Sequence, residues 1–178
     1  FGDARPVWLE IGFGGGEHLT ALAAAHPEVG LIGAEPFVNG VAKALARIEA
    51  AALRNVRLHA GDARDLIDLL PEAALTRVYL LYPDPWPKTR HRERRFMNPE
   101  NLAALARVTT PGAELRLATD IADYVRHAVR AAEAAPGFAL QGGPEDWATA
   151  WPEWRTTRYE AKALCAGRAP RYLIFRRR

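Results

Sequence analysis

The chain has 178 residues, 49% of them hydrophobic and 25% charged, with a formal net charge of +3; this length predicts one domain with room for a buried core. No apolar run reaches the roughly eighteen residues that a bilayer crossing needs, and no secretory leader pattern opens the chain, so no membrane partner and a cytoplasmic location are expected. A single cysteine, Cys165, excludes an internal disulfide and a cysteine-based metal cluster. The first residue is Phe1 rather than methionine, so a further N-terminal segment is expected to precede it.

Short apolar runs alternate with longer alanine-rich stretches of helical period, the pattern of strands joined by crossover helices. Strands are predicted at 7–12, 29–35, 56–61, 77–82 and 113–119, with helices at 16–26, 37–53, 64–70, 98–109 and 120–134. Right-handed crossovers then give a doubly wound, mostly parallel α/β sheet whose ligands lie beyond the strands' carboxyl ends. Residues 137–141 and 171–177 complete a seven-stranded sheet as an antiparallel pair, with a long loop at 142–170 between them. That loop holds Trp147, Trp151 and Trp154, which are read as packing residues.

The first strand runs into Glu10-Ile11-Gly12-Phe13-Gly14-Gly15-Gly16. Glycines at 12, 14 and 16 allow a sharp turn and close backbone approach to a ligand at a helix N-terminus. A dinucleotide fingerprint wants a third small residue at 17, where Glu17 stands, so a dehydrogenase is disfavoured. An acid there repels a pyrophosphate, whereas Glu10 attracts a cationic group. The expected ligand is S-adenosylmethionine. Glu35, at the end of the second strand, is placed to accept the ribose hydroxyls. Asp62 and the backbone of Ala63 are placed for the adenine, although Asp62 also suits a helix cap.

The fourth strand ends in Pro83-Asp84-Pro85-Trp86-Pro87 and continues into Lys88-Thr89-Arg90-His91-Arg92-Glu93-Arg94-Arg95. Three prolines in five positions stop the strand and stiffen the mount of Asp84. Charge is also uneven along the chain. Residues 1–85 carry seven Lys/Arg against eleven Asp/Glu, and residues 86–178 carry seventeen against ten. A basic second half suggests a polyanionic partner, and the run 88–95 is its first candidate contact. The five histidines, at 18, 26, 59, 91 and 127, lack metal-ligand spacing, so no metal is expected.

With LEIGFGGG, GAEPF, YPDPWPKTRHRERRF, LATDIADY and TRYEAKAL in this order, the chain resembles the bacterial tRNA (guanine-N7-)-methyltransferase family over essentially its whole length. The resemblance implies a Rossmann-like class I methyltransferase fold and methyl transfer from S-adenosylmethionine to N7 of a guanosine in the tRNA variable loop. It implies cofactor contacts from Glu10, Gly12, Gly14, Glu35, Asp62, Ala63 and Asp84, with Asp84 also catalytic. Substrate contacts then fall on Lys88, Asp120, Thr157, Arg158, Tyr159 and Glu160, with Arg90, Arg92, Arg94 and Arg95 on the RNA. Two departures stand out: Ala163 occupies a position where an aromatic residue or glycine is expected, and Pro111-Gly112-Ala113 replaces Pro-Gly-Gly. A methyltransferase of another RNA or of a small basic substrate, and a non-catalytic RNA-binding module, are the alternative readings. The choice between monomer and homodimer stays open.

Overall fold

The alternation of side chains along each strand sorts the core into two layers. The computed structural model describes residues 1–178, which form seven strands and six α-helices. The strands are β1 (Val7–Ile11), β2 (Gly30–Ala34), β3 (Val56–His59), β4 (Leu75–Leu81), β5 (Thr109–Thr119), β6 (Phe138–Leu140) and β7 (Arg171–Arg177). The helices are α1 (Glu17–Ala25), α2 (Val38–Ala50), α3 (Ala63–Leu69), α4 (Pro99–Val108), α5 (Ala122–Ala134) and α6 (Arg158–Cys165). Leu9 and Ile11 of β1 with Val78 and Leu80 of β4 join Ile67 of α3, Leu105 of α4 and Tyr124 of α5 on one face. Trp8, Tyr79 and Leu81 point the other way, against Leu19 and Leu22 of α1, Ala44 of α2 and Trp151. Successive strand residues face opposite sides, so a sheet with helices on both faces buries nearly continuous apolar strands.

The sheet order is β3-β2-β1-β4-β5-β7-β6. β1 pairs in parallel with β2 and β4, while β7 runs antiparallel between β5 and β6. The doubly wound sheet with an antiparallel pair at its end is therefore as the sequence pattern predicts. Strand order reverses between β1 and β4, and there the crossovers leave a crevice at the carboxyl edge.

Two differences from the sequence reading have clear causes. β5 begins at Thr109, four residues earlier than predicted, because pairing with β4 resumes across an irregularity between Leu75 and Arg77 that accommodates Pro111-Gly112. The predicted loop 142–170 contains a short 3-10 turn at Asp146–Ala148 and the whole of α6. The Thr157 side chain accepts a hydrogen bond from the Glu160 backbone N–H and so caps α6. Trp151, Trp154 and Tyr172 pack edge-to-face with ring centroids 5.0–5.9 Å apart. No helix is long and apolar enough to cross a membrane.

Candidate functional site

A cavity of about 470 Å³ opens where the strand order reverses. Its floor is the turn after β1, with Gly12, Gly14 and Gly15; one wall is the end of β2 with α2, and the other is the end of β4 with Tyr82 to Asp84. The glycines have separable roles. Gly12 has φ +72° and open space where a Cβ would stand, so its backbone lies bare to a ligand. At Gly16, which precedes α1 with φ +77°, a Cβ would meet that of Ala44 at 2.7 Å, so this position serves the packing of α1 on α2.

Glu35 fixes this turn. Its carboxylate is 4% exposed and accepts the N–H of Gly14 at 2.8 Å on one oxygen and that of Phe37 at 3.0 Å on the other. Each carboxylate oxygen has two acceptor sites, so one remains unused on each. A buried carboxylate beside bare glycine backbone suits a ligand with vicinal hydroxyls. Glu17 at the turn pairs with Arg47 at 3.0 Å, which offsets its charge, and Arg47 also donates to the Gly15 carbonyl at 3.1 Å. The free acceptor sites of Glu35 and the bare backbone of the turn thus fit the ribose of S-adenosylmethionine.

Asp84 lines the cavity from an exposed position on the loop that leaves β4. The residues flanking Pro83-Asp84-Pro85 are both left-handed without being glycine: Tyr82 has φ 49° and Trp86 has φ 37°. Such backbone persists only where surrounding contacts hold it. Tyr82 donates its N–H to the Ala118 carbonyl at 2.7 Å, and its ring stacks on Tyr159 at 6.4 Å between centroids. Burial, and then the nearby charge of Glu160, push the Tyr82 phenol far above its ordinary value, so it stays protonated. Trp86 lies between Arg94, whose guanidinium sits 4.9 Å from the ring centroid, and His91, edge-on at 5.8 Å.

The remaining expected residues divide sharply. Arg94, Arg158 and Tyr159 line the cavity with Gly12, Gly14, Glu35 and Asp84. Lys88 and Arg90 are exposed nearby in and before the 3-10 turn Thr89–Arg94, and neither has a carboxylate partner. Arg92 pairs with Asp123 of α5 at 3.3 Å. Arg95 differs most from expectation. It is 1% exposed and donates to the carbonyls of Pro85 at 2.8 Å and Trp86 at 3.3 Å, so its guanidinium faces the protein rather than RNA.

Six expected contacts lie away from the main cavity. Glu10 shares the β1 face of Trp8 and is 3% exposed, because its carboxylate bonds His18 Nδ1 of α1 at 2.8 Å. Asp62 caps α3 through the Arg64 N–H at 2.9 Å and pairs with the Arg64 guanidinium, whose hydrogen bond holds its carboxyl below the usual range; Ala63 begins that helix and is buried. Asp120 pairs with Arg168 at 2.5 Å. Glu160 is buried, accepting from Trp154 Nε1 at 2.9 Å and from the Tyr172 hydroxyl. Thr157 is occupied as the α6 cap.

Several cavity residues escape the sequence reading: Phe37, Asn39, Gly40 and Lys43 at and within the start of α2, and Phe96 beyond the basic run. Their signal is helical spacing, since positions three and four apart share a face and that face follows directly on Glu35. Gly40 must stay small, because a Cβ there would lie 2.4 Å from the Gly14 carbonyl oxygen. No group of three or more His, Cys, Asp or Glu side chains is assembled that could hold a metal ion.

Residues 4–171 match the family model described as "Putative methyltransferase". A tRNA (guanine-N(7)-)-methyltransferase of Paracoccus denitrificans is 57% identical over 178 residues, which are 100% of this chain and 75% of that protein. One of Rhodospirillum rubrum is 53% identical, with 98% of this chain and 70% of that protein covered. Among solved structures, TrmN from Thermus thermophilus superposes with a TM-score of 0.68 at 20% identity, over 99% of this chain and 46% of that one. A 16S rRNA (adenine(1408)-N(1))-methyltransferase mutant from Catenulisporales acidiphilia with cosubstrate SAM gives 0.65 at 18% identity, over 98% and 85%. The two solved structures share the fold.

Proposed function

The chain belongs to the tRNA (guanine-N7-)-methyltransferase family, and from that premise we propose that it methylates N7 of a guanosine in tRNA, with S-adenosylmethionine held in the cavity between β1 and β4. The observation that carries this reading is the meeting of Glu35, the bare Gly12–Gly14 turn and Asp84 around one cavity, with unpaired basic side chains at its rim. S-adenosylmethionine supplies an electrophilic methyl group when bound.

The chain's own contribution follows from the nucleophile. Guanine N7 carries a lone pair and no proton, so no residue has to deprotonate it. Position and electrostatic field are what remain to be supplied. Glu35 and the glycine turn hold the ribose end of the cofactor. Asp84 faces the purine, on which positive charge grows as the N7–carbon bond forms, and a fixed carboxylate favours that growth. Tyr159, stacked on Tyr82 and exposed at the cavity mouth, offers a ring for the incoming base. Lys88, Arg90, Arg94 and Arg158 meet phosphates, which set the register of a folded RNA while one unpaired guanine enters.

The test is incubation of the chain with methyl-labelled S-adenosylmethionine and bulk tRNA lacking the modification, followed by nucleoside analysis. Label in N7-methylguanosine is expected. Label in another nucleoside favours a different RNA methyltransferase, and the absence of transfer rejects the activity.

A further inference from the structure

Arg95 stands in a run of five Lys/Arg within eight residues, yet it alone of these is buried. Its side chain makes four distinct connections. Nε donates to the Pro85 carbonyl at 2.8 Å and Nη2 to the Trp86 carbonyl at 3.3 Å. Nη2 also reaches Asp123 Oδ2 at 2.7 Å, and the guanidinium lies 5.5 Å from the ring centroid of the fully buried Tyr124. Nη1 alone has no acceptor. Both carbonyls belong to the turn that carries Asp84, and one belongs to left-handed Trp86.

We infer that Arg95 is a positioning residue: it clasps the Pro85-Trp86 turn to Asp123 on α5 and thereby aims Asp84 into the cavity, and it takes no part in phosphate binding. A planar fork with donors in fixed directions suits two adjacent carbonyls and a carboxylate, which a lysine's single ammonium cannot serve together. A buried charge is retained only when paired and hydrogen-bonded. Asp123 supplies the pairing, held in turn by Arg92 at 3.3 Å and Arg126 at 3.4 Å. The basic run therefore has two jobs divided by side-chain direction. Arg90 and Arg94 point outward at the rim, and Arg95 points into the fold.

The inference rests on the proposed activity for the role of Asp84, so its test combines a kinetic and a non-kinetic readout. Arg95→Lys keeps the charge and removes the fork; Asp123→Asn keeps the shape and removes the countercharge. In single-turnover methylation at saturating tRNA and cofactor, Arg95→Lys is expected to lose about 10²-fold in rate, the scale of a small misplacement of a reacting group. Asp123→Asn loses less in the same direction. Cofactor Kd, tRNA Kd and the salt dependence of tRNA binding stay at wild-type values in both. Hydrogen exchange of the 82–96 peptide rises in both variants, and this readout holds whether or not the wild type methylates tRNA. In Arg95→Gln, which removes the charge, weakened tRNA binding with a shallower salt slope and an unchanged saturated rate returns Arg95 to the phosphates and overturns the inference. Unchanged rate and unchanged exchange overturn it equally. Should Arg95→Lys fail to fold, Asp123→Asn, altered at a half-exposed helix position, decides between the same two outcomes.

Discussion

Gly14 donates its backbone N–H to the Glu35 carboxylate across 2.8 Å, which ties the turn after β1 to the end of β2. The same carboxylate is expected to receive the ribose hydroxyls of the cofactor. Glu35→Ala therefore removes an acceptor from two partners at once, the turn and the ligand. A loss of about 1–3 kcal/mol in cofactor binding is expected from groups left unpaired in a buried site, read by calorimetry with S-adenosylhomocysteine. Unchanged affinity removes Glu35 from the site.

Lys88, Arg90 and Arg94 lack carboxylate partners, and neutralising them is expected to weaken tRNA binding. For every phosphate no longer neutralised, the log–log salt dependence should flatten by about 0.7–0.9, measured by filter binding across a salt series. Cofactor affinity should stay as it was. An unaltered slope assigns these side chains to solvated surface.

The fold is legible in the sequence because its signals are local. Apolar runs such as Val78 to Tyr82 alternate with helices whose caps are written nearby, Asn98 before α4 and Pro99 at its first position among them. α6 escapes that reading although Thr157 and Glu160 stand three apart, the spacing of a capping box; the surrounding length of polar chain hides it. The site is legible in part. Gly12, Gly14, Glu35, Asp84 and Tyr159 sit at strand ends or beside a motif, and they converge. Glu10, Arg95 and Glu160 have the residue types of ligand contacts, but their partners, His18, the Pro85 and Trp86 carbonyls and Tyr172, lie on other elements. Charge along a sequence does not reveal which charge turns inward.

Asp123 sets an acid limit on the Asp84 mount. A hydrogen bond from Arg95 first, then the charges of Arg92, Arg95 and Arg126, hold its carboxyl below the ordinary 3.8. The unfolded chain thus binds the proton more readily than the folded one. Stability from this cluster is full above about pH 5 and is lost as pH falls through the unfolded value towards the folded one. The melting-temperature gap between wild type and Asp123→Asn should be constant near neutrality and close in acid. A gap that persists unchanged at low pH excludes the cluster as its source.

Asp84→Asn tests whether the carboxylate acts on developing charge or on cofactor binding. A transition-state role lowers kcat and kcat/KM alike and leaves cofactor Kd nearly intact. The loss expected for one preorganised electrostatic contact is about 10²–10³ in rate. A raised Kd with full recovery of rate at saturating cofactor makes Asp84 a cofactor-holding residue instead.

Guanine N7 as the accepting atom is the claim on which the reading of Asp84 and its mount depends. The direct measurement is single-turnover methyl transfer to a ligated tRNA carrying 7-deazaguanosine at the guanosine that the wild-type chain modifies, beside the same tRNA with guanosine. Replacing N7 by carbon removes the lone pair and leaves the other edges of the base intact. Transfer is expected to the guanosine tRNA alone, with both RNAs bound at similar affinity. Methyl transfer continuing at the 7-deazaguanosine would contradict the assignment of N7.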